Sequence, residues 1–173
     1  YLITARDYKT GATYLSYSHE KSSTATAIFI DYLLFSLHNY GINPETITIQ
    51  TDNGKEFTNP HSQKLTLFEK IITEKYKARH KLIPYRRPTY NSDVESFHNL
   101  IEEEFFISEK PNNETELLAK TFSYQIWFNS YRTNRGRDNQ NPEQIYQTEL
   151  NTDKAIPLIP PIVVDNYIPL MGK

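Results

Sequence analysis

Two carboxylates stand out by their surroundings. Asp52 follows Thr46–Thr51, an alternating run with Ile47 and Ile49 on one face that reads as a strand. The C-terminal end of a strand is where α/β sheets place their sites. Gly54 lets the chain turn sharply two residues later. Glu95 falls in the first turn of an expected helix, behind a loop bracketed by Pro84 and Pro88. An acid in that position also gains from the helix dipole. Taken singly, Asp52 can be a turn residue and Glu95 a helix-start acid, so a structural reading stands beside the chemical one.

The neighbouring residues form three words. The first is Thr51-Asp52-Asn53-Gly54-Lys55-Glu56-Phe57. The second is Asn91-Ser92-Asp93-Val94-Glu95-Ser96-Phe97-His98. The third is Trp127-Phe128-Asn129-Ser130-Tyr131-Arg132, leading to Asn141-Pro142-Glu143. In this order they resemble the catalytic core of retroviral-type integrases and the related bacterial insertion-sequence transposases, from Tyr1 to about Leu150. The resemblance implies a ribonuclease-H-like fold, a mixed sheet flanked by helices. It also implies three acids, Asp, Asp and Glu, that hold two divalent ions, Mg²⁺ or Mn²⁺. Asp52 matches the second acid and Glu95 the third. The 42 residues between them are somewhat more than is commonest in the family, and the excess falls around Asn59 to Lys64. The family's first acid lies on the strand before the one that Tyr1–Ala5 resembles, so it is expected several residues before Tyr1. The first strand is then missing here, and the fragment alone is expected to be inactive. Asp7 is the only nearby acid, and it reads as a turn residue.

The implied reaction is DNA end cleavage and strand transfer during DNA integration, the work of a DDE-type polynucleotidyl transferase of a mobile element. Two hard cations about 3.5–4 Å apart can clamp the attacking and leaving oxygens of a phosphodiester, and Mg²⁺ prefers oxygen ligands. Water frees a 3′-hydroxyl, which then attacks target DNA. No covalent protein intermediate is needed. Lys55, Arg86, Arg87, Asn91 and His98 are the expected DNA contacts, with Asn91 also a candidate helix cap. His98 lies one turn after Glu95 on the same face. The family often carries Gly after the matching Asn, and Ser92 in its place implies a stiffer loop. The expected partners are element ends and target DNA, with a homo-oligomer as the working form. Two alternatives remain: a nuclease of the same fold that cuts without joining, and a non-catalytic nucleic-acid or protein-interaction module.

The elements that must position these residues can be read from the pattern. Tyr1–Ala5 and Thr13–Ser18 read as a hairpin about a Lys9-Thr10-Gly11 turn. Ser22 or Ser23 caps a long helix ending near Gly41. Strand Thr46–Thr51 precedes a helix expected over Ser62–Tyr76 and a strand over Ala78–Ile83. Asn91 or Ser92 starts a helix bearing Val94, Phe97, Ile101 and Phe105. Another helix runs from about Glu114 to Tyr131, with Phe122, Ile126 and Trp127 as core or subunit interface. A short helix comes after Pro142. This order gives a mixed α/β domain over 1–150 with a sheet covered on both faces. From Asn151 to Lys173, four prolines and no clear period suggest an extended tail.

Composition sets limits. The chain has 173 residues and suits one domain plus a tail. The absence of Cys removes disulfides, Cys-based zinc sites and thiol catalysis. No apolar run reaches the roughly 18 residues of a membrane span, and no signal peptide opens the chain, so a cytoplasmic protein is expected. The net charge of −2 is unhelpful to a nucleic-acid binder. Its distribution is better: Lys70, Lys75, Lys77, Arg79, Lys81, Arg86 and Arg87 face Glu74 alone within one stretch, and Arg132, Arg135 and Arg137 form a second cluster.

Overall fold

The hairpin at the start of the chain shows how its backbone is satisfied. In this computed structural model, which describes residues 1–59, 64–84 and 92–170, strands β1 (Leu2–Arg6) and β2 (Thr13–Tyr17) pair. The Ser18 N–H donates to the Tyr1 carbonyl at 2.9 Å and the Asp7 N–H to the Ala12 carbonyl at 2.8 Å, so the pair is antiparallel. Asp7 accepts from the backbone N–H and hydroxyl of Thr10 and closes the turn. Gly11 sits there at φ +79°, with the Arg137 guanidinium where a Cβ would go. Both the dihedral and the close approach require glycine.

The chain forms two compact units. One comprises Tyr1–Ile3, the described part of Ser16–Asn91, and residues from Val163 onward. Within it, helix α1 (Ser23–Asn39) is capped by the Ser22 hydroxyl, which accepts from the Ala25 N–H. Its N-terminal half is buried nearly all round, from Ala25 to Ile30. It packs on helix α2 (Leu67–Lys70), on the π-helical turn Ile71–Lys75 that continues α2, and on the 3₁₀ segment Val164–Leu170. Strands β3 (Thr48–Thr51) and β4 (Arg79–Leu82) pair in parallel, with Thr48 opposite Arg79 and Gln50 opposite Lys81.

The second unit comprises Thr4–Leu15 and Ser92–Ile162. Helix α3 (Ser92–Ile101) runs on into a π-helical turn, Glu102–Phe106. Helix α4 (Glu114–Ser130) is capped by Asn113, and α5 (Pro142–Leu150) opens on a capping box between Asn141 and Gln144. Phe97, Phe105, Tyr124 and Phe128 form the aromatic centre of this core, with ring centroids 5.1–6.0 Å apart.

The α/β character and most element positions agree with the sequence reading. Four features differ. The described strands form two separate two-stranded sheets where one mixed sheet was expected. The α2 helix begins at Leu67, because Thr66 and Glu69 supply a complete capping box there; it does not begin at Ser62, and residues 60–63 lie outside the described residues. The stretch after Asn151 has little regular structure, yet Ile156, Ile159, Ile162, Val163 and Val164 are buried and belong to the cores. In α4, Phe122 and Ile126 are only half-buried and Trp127 is exposed, while the most buried positions include Thr121, Gln125 and Asn129.

That polar face has a backbone reason. Asn129 accepts from the Thr13 N–H and donates to the Thr13 carbonyl, both at 2.9 Å. Gln125 accepts from the Leu15 N–H at 2.9 Å and donates to the Ile159 carbonyl at 2.7 Å. Two side-chain amides thus complete the outer edge of β2. Replacing Asn129 with Leu leaves two buried backbone groups unpaired. It should cost on the order of 2–5 kcal/mol in urea unfolding; a loss below about 0.5 kcal/mol would show that these bonds do not carry the edge.

Candidate functional site

Asp52 follows the last residue of β3 and is exposed. Its Oδ1 accepts from the Gly54 N–H at 2.8 Å, and its other oxygen has no partner among the described residues. The turn is fixed from the side by Asn53, whose amide donates to the Ile83 carbonyl just past β4. Gly54 is needed for space: a Cβ would lie 2.6 Å from Glu56 Oε2 and 2.9 Å from Asp52 Oδ1. Both carboxylates therefore crowd one point. Glu56, part of the first sequence word but not among its singled-out candidates, borders this turn as well. It pairs with Lys21 at 2.9 Å. Burial pushes its carboxyl up, but its own backbone N–H and the Lys21 ammonium outweigh that and leave it below the ordinary range. Lys55 is exposed beside this turn.

Beneath the Asp52 strand lies a second polar network. The Thr51 hydroxyl meets His80 Nε2 at 2.9 Å. His80 is half-buried against Phe68, and its burial lowers its pKa against the opposing pull of Glu69. Glu69 accepts from the Thr58 hydroxyl and the Thr66 N–H.

Glu95 is exposed in the first turn of α3, with no hydrogen-bond or ion-pair partner among the described residues. What fixes its helix is Asp93, two residues earlier. Asp93 receives the Arg6 guanidinium at 2.5 and 3.3 Å. Arg6 is nearly fully buried, also donates to the Gly11 carbonyl and the Thr13 hydroxyl, and lies over the rings of Phe97 and Phe128. Sequence reasoning had no signal for Arg6, whose partner is 87 positions away. His98 shares the Glu95 face, and its Nε2 meets the Thr4 hydroxyl at 3.0 Å. Covering of the ring lowers its pKa, and nearby Glu95 opposes the shift. The contact with Thr4 makes His98 a hydrogen-bonding group at this position.

Arg86, Arg87 and Asn91, and with them the expected Pro84–Pro88 loop, lie outside the described residues except for Pro84. The third sequence word is structural. Beyond Asn129, Arg132 forms a bidentate pair with Glu104 at 2.6 and 3.0 Å, and the Asn141 amide donates to the Ser130 carbonyl and joins α4 to α5. Arg137 is likewise engaged, with the Tyr8 and Lys9 carbonyls.

Asp52 and Glu95 belong to different units, each with its own geometry. Both offer accessible oxygens, the donor type a hard divalent cation takes. Among the described residues, no group of three or more His, Asp or Glu could hold a metal ion. Among the same residues, no helix is long and apolar enough to cross a membrane. No protein-family model matches the chain, and no curated protein matches it.

The Glu69 network yields a pH prediction. Burial alone would raise the Glu69 carboxyl; the bonds from Thr66 and Thr58 and the proximity of His80 outweigh it and hold the pKa below the ordinary range. The stabilisation is thus present above the unfolded Glu value of about 4.3 and is lost as pH falls through the folded value. Glu69→Gln should flatten the acid limb of a melting-temperature profile and lower its neutral plateau. An acid limb identical to that of the parent would remove Glu69 from it.

Proposed function

We propose that this chain is most of the catalytic core of a DNA strand-transfer enzyme of the integrase and transposase kind, with a ribonuclease-H-like fold. The observation that carries the reading is Asp52. It is an exposed carboxylate at the C-terminal end of a parallel strand, held by Gly54 in the turn of the first sequence word. Three features support it further. Glu95 is exposed and unpaired in the first helical turn, as the second word requires. A mixed sheet needs both antiparallel and parallel pairing, and β1–β2 and β3–β4 supply one of each. The edge of β1 away from β2 carries no strand among the described residues, so a preceding strand has a place to pair.

On this reading Asp52 and Glu95 would hold Mg²⁺ or Mn²⁺, together with a first Asp upstream of Tyr1. A bound divalent pair supplies charge stabilisation at the attacking and leaving oxygens of the phosphodiester. The chain's own residues do the positioning. The Gly54 N–H fixes one Asp52 oxygen and leaves the other for a ligand. Asp93 and Arg6 pin the start of the Glu95 helix. Lys55 offers a cation to a DNA phosphate beside Asp52, with Arg86, Arg87 and Asn91 as further contacts. His98 acts as a hydrogen-bonding group near Glu95.

The test is a strand-transfer assay on a labelled element end. The 173-residue chain should neither cut nor join. A protein extended upstream through the preceding strand should do both with Mg²⁺ or Mn²⁺. Asp52→Asn or Glu95→Gln in that longer protein should each reduce both steps to background without changing the melting temperature by more than about 2 °C. Cutting without joining would identify a nuclease, and full activity in Glu95→Gln would sink the assignment.

A further inference from the structure

We propose that the exposed face of the β3–β4 pair is a docking surface for the phosphate backbone of double-stranded DNA, an inference that rests on the function proposed above and gives it a DNA track. The parallel register places Thr48 beside Arg79 and Gln50 beside Lys81. All four are exposed, while of their alternates Thr51 is buried, Ile49 and His80 are half-buried, and Leu82 at the end of β4 is exposed. Arg79 and Lys81, two residues apart on one strand, project on the same face about 7 Å apart. That is close to the step between successive phosphates of one nucleic-acid strand.

These cations are not committed elsewhere. Lys21 pairs with Glu56 and Lys75 with Asp31. Among the described residues, Arg79 and Lys81 have no acidic partner, and neither do the exposed Lys70 and Lys77 in the segment that leads into β4. Glu69 and Glu74 are the acids nearest them in sequence and Asp52 adjoins β3; among the described residues none of the three forms an ion pair with these cations.

The composition of the face selects the partner. It holds two cations, a hydroxyl and an amide, the side chains that contact phosphate and sugar. It holds no aromatic or aliphatic anchor of the kind that a protein interface or a membrane surface requires. By the same alternation, Asp52 continues the series Thr48, Gln50 beyond the end of β3. A backbone laid along Arg79 and Lys81 therefore runs toward the proposed catalytic carboxylate. Binding through this face should be indifferent to base sequence, because nothing on it reaches for base edges.

The experiment measures fluorescence anisotropy of a labelled mixed-sequence duplex against the 173-residue chain over a salt series. The comparison is with Arg79→Gln/Lys81→Gln and, separately, Asp52→Asn. The double variant, altered only at exposed positions, should keep the parent melting temperature. It should bind roughly 10-fold or more weakly, with a salt slope smaller by about two phosphate contacts. Asp52→Asn should bind at least as well as the parent. Unchanged affinity and slope in the double variant would overturn the proposal, as would failure of the parent to bind duplex, or its binding anionic vesicles in preference. The catalytic reading fails independently. Strand transfer that persists in Glu95→Gln, with duplex binding still lost in the double variant, would leave this surface standing and remove the active site.

Discussion

The outer edge of β2 is the constraint on which the second unit depends. In an antiparallel pair, alternate residues direct their backbone groups to opposite edges. Tyr1 with Ser18 and Asp7 with Ala12 bond across the hairpin, so Thr13, Leu15 and Tyr17 direct theirs away from β1. These residues are buried, and buried peptide groups must be paired. Among the described residues no strand does this along Thr13 and Leu15. Asn129 and Gln125 do, and their spacing explains why a helix can substitute. Four residues of helix advance about 6 Å and two residues of strand just under roughly 7 Å. A helix running antiparallel to β2 therefore presents an amide to every second strand residue, Asn129 to Thr13 and Gln125 to Leu15. Farther along, Tyr17 is taken over by a bridge to Val163.

This arrangement also governs the C-terminal stretch of the chain. Gln125 has one acceptor and two donors, and once Leu15 uses the acceptor the amide needs a carbonyl. Ile159 supplies it. The Pro-rich stretch after Asn151 is thereby drawn into the core, and Ile156 and Ile162 are buried around that bond. Prolines suit the role, since an extended segment without ladder bonds loses little by lacking N–H groups.

The same logic decides what was legible in the sequence. Elements whose reasons are local were readable: the Ser22 cap, the hairpin turn at Asp7–Gly11, the strand before Asp52, the helix around Glu95 and the short helix at Pro142. Elements whose reasons are distant were not. The apolar period of α4 pointed to Phe122, Ile126 and Trp127 as core or subunit interface; they are not the core, whose face on α4 is set by hydrogen-bonding demand from residues 110 or more positions away. The start of α2 was misplaced because Ser62 and Thr66 both look like caps, and only Thr66 has Glu69 three residues on. At the candidate site, the words singled out Asp52, Lys55, Glu95 and His98 as candidates, and all four are exposed. Glu56 was hidden by being read as part of a motif, and Arg6 by having no motif. The role of Asn129 at the edge of β2 was not legible in its word, because its partner Thr13 is 116 positions away.

Charge is sorted by the same division between internal and external work. A buried cation must be matched, and Arg6 is, by Asp93, two oxygens and two aromatic faces. Arg132 and Arg137 look in sequence like a basic patch, yet Glu104 and the Tyr8 and Lys9 carbonyls occupy them. Clustered arginines near a chain reversal are therefore weak evidence of a ligand surface, because the reversal itself creates carbonyls and acids to be matched. The basic run into β4 differs for a geometric reason. A strand with one face inward sends alternate residues to solvent, so Arg79 and Lys81 have no core duty, and among the described residues no acid pairs with them. The net charge of −2 hides this, because it sums acids and cations wherever they lie and says nothing of how they are distributed over the surface. What matters for a polyanionic partner is the charge left over after the fold has matched its own, and that remainder is positive on the face that leads to Asp52.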